Sequence, residues 1–281
     1  MIEGRGILTR TLQLYAPLAV CLVAMLFPFY WMLITSIKPN SELYNARIMP
    51  LVVYHPTLKH YVDLLTQTNF LTWTYNTMLV AVVTTTVSLV LGTMIAYPLA
   101  RMNFPGAAVV AIGVAATYLV PQPLLFIPMA DIINKLELGN TLSAVMLTYP
   151  TLLIPFCAWL LMGYFKSVPR ELEEAARIDG ASRFQAMWRV VLPLTTPGLL
   201  SAGIFAFTLA QNEFLYALIF LSKSEVRTVP VGAITELIRG DVFYWGQLMA
   251  AALLGSIPVA VIYSFFVDYY VAGLTAGSVK T

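Results

Sequence analysis

The sequence predicts an all-α, polytopic membrane protein: six transmembrane helices with one polar helical hairpin between the fourth and the fifth. Three observations predict it. Hydrophobic residues make up 59% of the chain and charged residues 11%, against roughly 25% charged in soluble domains, and the mean hydropathy is +0.79. Apolar runs recur at bilayer-spanning length, about 20 residues each, between short polar connections. A single long charge-rich island, Ser167 to Pro197, interrupts them.

The first span is expected over 12–37. Its apolar run exceeds the roughly 7 to 15 residues of a secretory signal core, so it reads as a retained helix. Ile2-Glu3-Gly4-Arg5 also spells a protease site used in expression vectors, and nothing here rests on it. Pro39, Pro50 and Pro56 with mixed charges mark a loop carrying a short amphipathic helix near Leu58 to Leu65. His55 and His60 both fall in it, without the further ligands that a metal site needs. Cys21 and Cys157 lie in apolar stretches, which suits packing rather than a disulfide or a metal.

The second span is expected over 73–100, where no charge occurs, with Trp73 and Tyr75 in the interfacial aromatic belt. The turn Arg101 to Gly106 returns the chain antiparallel. A third span over 107–130 contains Pro121, Pro123 and Pro128, which free carbonyls that lipid does not satisfy. That span is therefore expected to be broken or to face a wet cavity, with Tyr118 and Gln122 as path candidates. A fourth span covers 141–162, with Pro150 and Pro155 as kinks. The fifth, 198–221, holds Gln211, Asn212 and Glu213, and an acid at membrane depth is functional by default unless it snorkels to water. The sixth covers 247–271, interrupted by Pro258.

Within the charged island, Pro169 suits the first position of a helix, and Glu171, Glu173 and Glu174 oppose the positive end of its dipole. Gly180 supplies a left-handed residue that closes the helix, Ser182 and Gln185 form a capping box for a second, and Pro193 ends it. The product is a helix pair bent at Asp179-Gly180, with Ala175 and Ala176 offering a low surface.

Glu174-Ala175-Ala176, then Asp179-Gly180-Ala181, then Val191-Leu192-Pro193 resemble the "EAA" loop of ATP-binding-cassette importer permeases. The resemblance implies that 163–197 is a cytoplasmic coupling loop seated in a cleft of an ATPase subunit. It makes Glu173, Glu174, Ala175, Ala176, Asp179, Gly180, Ala181, Leu192 and Pro193 the coupling residues. Gly180→Trp is expected to insert normally and to abolish ATP-dependent uptake.

Four further stretches narrow the likeness: the Arg101 to Gly106 turn, Asn212-Glu213-Phe214, Thr228 to Gly232, and the ending Val271 to Lys280. Together they resemble the second permease subunit of maltose-type carbohydrate importers, from which Gln211 departs, many relatives having Trp there. The resemblance implies a carbohydrate substrate (a maltodextrin- or trehalose-type sugar, or a glycerol phosphate). It also implies a second permease subunit, two ATPase subunits, an extracytoplasmic sugar-binding protein, and a tail whose Gly277 and Ser278 reach the ATPase. Location is expected in the inner membrane of a prokaryote with both termini cytoplasmic. Nine of the sixteen Lys and Arg then fall inside, a slight bias of the expected sign.

No phosphate-binding Gly-x-x-x-x-Gly-Lys-Ser/Thr loop occurs, so the chain is expected to bind no cofactor of its own, with ATP-Mg held by the partner ATPase. A net charge of +2 gives no basis for nucleic-acid binding. Candidate substrate-path residues are Asn76, Tyr118, Gln122, Gln211, Asn212 and Glu213. An ion-coupled secondary transporter is the alternative, although only Glu213 offers a coupling acid. A metalloprotease reading lacks histidines on any span.

Overall fold

The computed structural model describes residues 11–276, and the side chains of 13–266. Helices dominate: α1 (Ala16–Ile37), α2 (Lys59–Gln67), α3 (Phe70–Arg101), α4 (Ala107–Tyr118), α5 (Gln122–Lys135), α6 (Leu142–Ser167) and α7 (Arg170–Ile178). They continue as α8 (Arg183–Leu194), α9 (Thr196–Asn212), α10 (Leu215–Phe220), α11 (Val229–Leu237) and α12 (Trp245–Ala276). A two-residue antiparallel pair, β1 (Ile238–Arg239) with β2 (Val242–Phe243), precedes α12. The fold is all-α apart from that hairpin. Among the described residues, four helices are long and apolar enough to cross a bilayer, and two bent helix pairs bring the possible number to six.

The chain divides into two compact units, residues up to 70 with 233–257, and residues 71–232 with the chain from 258 onward. In the first, Lys38 reaches back to the carbonyls of Met49 and Pro50. Glu42 accepts from the Tyr54 and His55 amides and pairs with the His55 ring. His60 is buried against the carbonyl of Lys38 at 2.7 Å. Helix α1 leaves most of its apolar side chains exposed, as a surface meant for lipid does.

The second unit contains two cores. One gathers Val80, Tyr149, Leu153, Cys157, Phe207, Tyr216 and Val231. The other gathers Ala96, Tyr97, Leu161, Phe165, Met187, Val191 and Ala202, so the hairpin's second helix packs into the same core as α3, α6 and α9. Gly92 permits the close approach of α3 and α6: a Cβ there would lie 2.8 Å from Cys157 Cβ and 3.2 Å from the Ala158 amide nitrogen.

Several expected boundaries are corrected. The 107–130 span is two helices bent by 94° at a break after Tyr118, because neither Pro121 nor Pro123 has an N–H to continue the ladder. Its second half runs on to Lys135. The fourth helix does not stop at 162 but reaches Ser167. The helix starting near Pro169 has that residue as its N-cap, with extended ψ of 133°. The second hairpin helix ends at Leu194, one residue past Pro193. A π-helical turn over Met187–Val191 precedes it and opens the ladder where the proline ring would otherwise clash. The 198–221 span stops at Asn212 and resumes at Leu215.

Candidate coupling hairpin and cavity

Local sequence builds the hairpin. At the end of α7 the Ala181 amide donates to Ala176 and the Gly180 amide to Arg177, at 3.0 and 3.1 Å. This six-to-one, five-to-two pattern needs a left-handed residue between the helices, and Gly180 has φ +91°. Ser182 then accepts from the Gln185 amide and Gln185 from the Ser182 amide, completing the capping box. Two neighbouring caps therefore favour the bend locally.

One coupling candidate faces inward. The Glu173 carboxylate accepts from Arg101 Nε at 2.9 Å and from the Tyr97 hydroxyl at 2.7 Å. The Arg101 side chain is only 2% exposed; its remaining nitrogens donate to the carbonyls of Phe165, Val168 and Pro169. Those are last-turn and post-helix carbonyls of α6, where a cation is favoured. Tyr97 also donates to the Arg183 carbonyl at 3.3 Å, so the end of α3 grips both arms of the hairpin.

The other candidates divide by exposure. Glu174, Ala175, Asp179, Gly180 and Pro193 are exposed, Ala176 and Ala181 half-buried, and Leu192 buried. Sequence reasoning missed the apolar edge beside them: Ile178 is 86% exposed, and the exposed rings of Phe184 and Trp188 pack edge to face at 6.2 Å. It also missed Arg101 and Tyr97. The available signal was a lone arginine closing a run from Leu64 to Ala100 with no charge at all. Gly277 and Ser278 lie outside the described residues.

A separate cavity of about 600 Å³ opens where the break between α4 and α5 faces the break between α9 and α10. That volume suits a small organic ligand. Tyr118, Gln122, Asn212 and Glu213 all line it, joined by Tyr149, Thr151 and Thr208. Glu213 is not inside a helix: it follows α9, and its carboxylate accepts from the Tyr216 and Ala217 amides at 2.9 and 3.2 Å. The acid therefore sits on the unpaired N–H groups opening α10, which satisfies its buried carboxyl oxygens. Gln211 is buried and absent from the lining. Asn76 is elsewhere too, donating to the carbonyls of Glu225 and Arg227.

Long apolar helices, two of them broken opposite each other around a cavity, with an exposed hairpin rooted in the core of α3, α6 and α9, are the architecture of a membrane transport subunit. Residues 88–275 match the family described as binding-protein-dependent transport system inner membrane component, and the chain belongs to that family. It is 37% identical over 263 residues to the sulfoquinovosyl glycerol transport system permease protein of Agrobacterium fabrum, covering 93% of this chain and 91% of that one. It is 34% identical over 277 residues to the trehalose/maltose transport system permease protein of Thermococcus litoralis, covering 98% of each. Its fold is similar to a chain in the crystal structure of a bacterial ABC transporter involved in the import of the acidic polysaccharide alginate. The TM-score is 0.76 at 21% identity, over 95% of this chain and 99% of that one.

Proposed function

We propose that this chain forms half of the transmembrane path of an ATP-driven carbohydrate importer and takes its driving force from a separate ATPase through the coupling loop 163–197. The observation that carries the reading is the hairpin: it is anchored to the transmembrane core on one face and offers exposed Ile178, Phe184 and Trp188 on another. Exposed apolar clusters of this kind mark a partner surface. The cavity lining supports a polyhydroxylated cargo, because Gln122, Asn212, Thr151, Thr208 and Tyr118 supply neutral donors and acceptors, and the one acid there, Glu213, is held by the backbone amides of α10. The names of the relatives point the same way, to a sugar of the trehalose, maltose or sugar–glycerol kind.

In this reading the chain binds no cofactor. ATP-Mg is held by two ATPase subunits, a second permease completes the path, and an external binding protein delivers the sugar. Both termini and the hairpin are cytoplasmic, and Gly277 and Ser278 approach the ATPase. ATPase closure pushes on the hairpin and shifts the spans between inward- and outward-open states, by differential contact with the two.

Reconstitution with the partner subunits in liposomes tests the reading. The expected result is trehalose or maltodextrin uptake that needs ATP and the binding protein and is lost in Gly180→Trp, where no atom lies within 4 Å of the added Cβ but φ is strained. Uptake by this chain alone under an ion gradient would establish the secondary-transporter alternative instead.

A further inference from the structure

The contacts at the two ends of α3 point to a role for that helix which the cavity and the hairpin do not state. Its 32 residues make a rod about 48 Å long. At its C-terminal end, Tyr97 and Arg101 hold both arms of the hairpin through Glu173 and the Arg183 carbonyl. At its N-terminal end, a second set of side chains holds the segment 224–229. Trp73 donates from its indole to the Ser224 carbonyl at 2.8 Å, and Asn76 donates to the carbonyls of Glu225 and Arg227 at 2.9 and 3.0 Å. The Thr77 hydroxyl accepts from the Val229 amide at 2.8 Å. Trp73, Asn76 and Thr77 are all buried.

Both grips use side chains of α3 on backbone or carboxylate groups of the gripped segment. Backbone groups offer little freedom to re-pair, so a displacement at either end is handed to the rod instead of being absorbed by rotamer change. Buried hydrogen bonds of this kind are also costly to leave unmade. A rod gripped at both ends carries motion along its axis.

We propose that α3 is the mechanical link between the hairpin and the loop 224–229 at the opposite end of that helix, with Tyr97 and Arg101 as positioning residues at one end and Asn76 and Thr77 at the other. The proposal rests on the reading of 163–197 as the ATPase handle, and extends it. Segment 224–229 becomes the place where the state of the ATPase is reported to whatever docks on the far side. Asn76 thereby changes from a path candidate to part of a transmission element.

The test uses the assembled transporter in liposomes and measures sugar carried per ATP hydrolysed, at equal amounts of assembled complex, so that a variant that merely folds poorly drops out of the ratio. Tyr97→Phe keeps the ring packed on Phe165 and loses only the hydroxyl; Asn76→Ala breaks the other grip, and Thr77→Val replaces it if that variant does not assemble. Each single variant is expected to lower the ratio about tenfold, the scale of one buried hydrogen bond to a charged or backbone group. The double variant is expected to fall no further, because a link in series is broken once. Single variants whose ratio stays within about twofold of wild type overturn the proposal, as does a double variant whose losses multiply, which identifies two independent contacts. A wild-type chain that neither joins an ATPase nor carries sugar overturns the underlying reading, and the proposal with it.

Discussion

Gly92→Ala probes a close approach of two helices, α3 and α6, in the second unit. The added Cβ would stand 2.8 Å from Cys157 Cβ and 3.2 Å from the Ala158 amide nitrogen, where carbon contacts prefer about 3.5 to 4 Å. Neither obstacle is the far end of a flexible side chain, so α3 and α6 must part by up to about 1 Å. Cys157, Ala158 and Leu161 are fully buried along that seam, and their packing would loosen together. Overpacking of this kind costs about 1–3 kcal/mol, and backbone involvement places this site at the upper end. The gain in helix propensity on leaving glycine offsets about 1 kcal/mol. The net loss is therefore about 2 kcal/mol, a drop of roughly 4–8 °C in the unfolding midpoint.

The assay is thermal unfolding in nanodiscs, with two comparators. Gly113→Ala on α4 has nothing within 4 Å of its Cβ and should be neutral or slightly stabilising. Cys157→Gly removes the opposing Cβ and should recover most of the loss when combined with Gly92→Ala, as expected for residues in direct contact. If Gly92→Ala behaves like Gly113→Ala, the close approach of α3 and α6 is refuted.

Ser182→Ala deletes half of the capping box and should cost the hairpin about 1 kcal/mol locally, read as faster amide exchange over 183–187 with exchange in α6 unchanged. Acid should loosen the segment around Glu42. Burial pushes its carboxyl up, but hydrogen bonds from the Tyr54 amide and from the His55 ring and amide outweigh it and hold it below its ordinary value. A depressed folded pKa means that the stabilisation is complete above the ordinary carboxylate range, near 4, and is lost as pH falls through the lower folded value. Proteolysis within 44–57 should rise on acidification below that range, and Glu42→Gln should flatten the dependence.

The hairpin was legible from sequence because its determinants are local: Pro169, Gly180, and the Ser182-Gln185 pair act within a few residues of themselves, so their meaning survives without tertiary knowledge. The break in the third span was legible for the same reason, since Pro121 and Pro123 carry their own effect. Glu213 was not. Whether an acid that follows Gln211 and Asn212 near the end of an apolar run continues a helix or caps the next one depends on what surrounds Tyr216 and Ala217, and periodicity carries no trace of that. Asn76 and Arg101 were misread or missed because their partners lie about 150 and 70 residues away, and the partners are backbone carbonyls or one of three neighbouring glutamates.

Thiol labelling of Ile178→Cys, in a chain with Cys21 and Cys157 replaced by alanine, tests most directly whether the hairpin is a cytoplasmic handle for an ATPase. The expected result is labelling by a membrane-impermeant maleimide in inside-out vesicles only, and protection when the ATPase subunits are bound. Labelling from the outer face of intact cells, or labelling unaffected by saturating ATPase, would contradict the account.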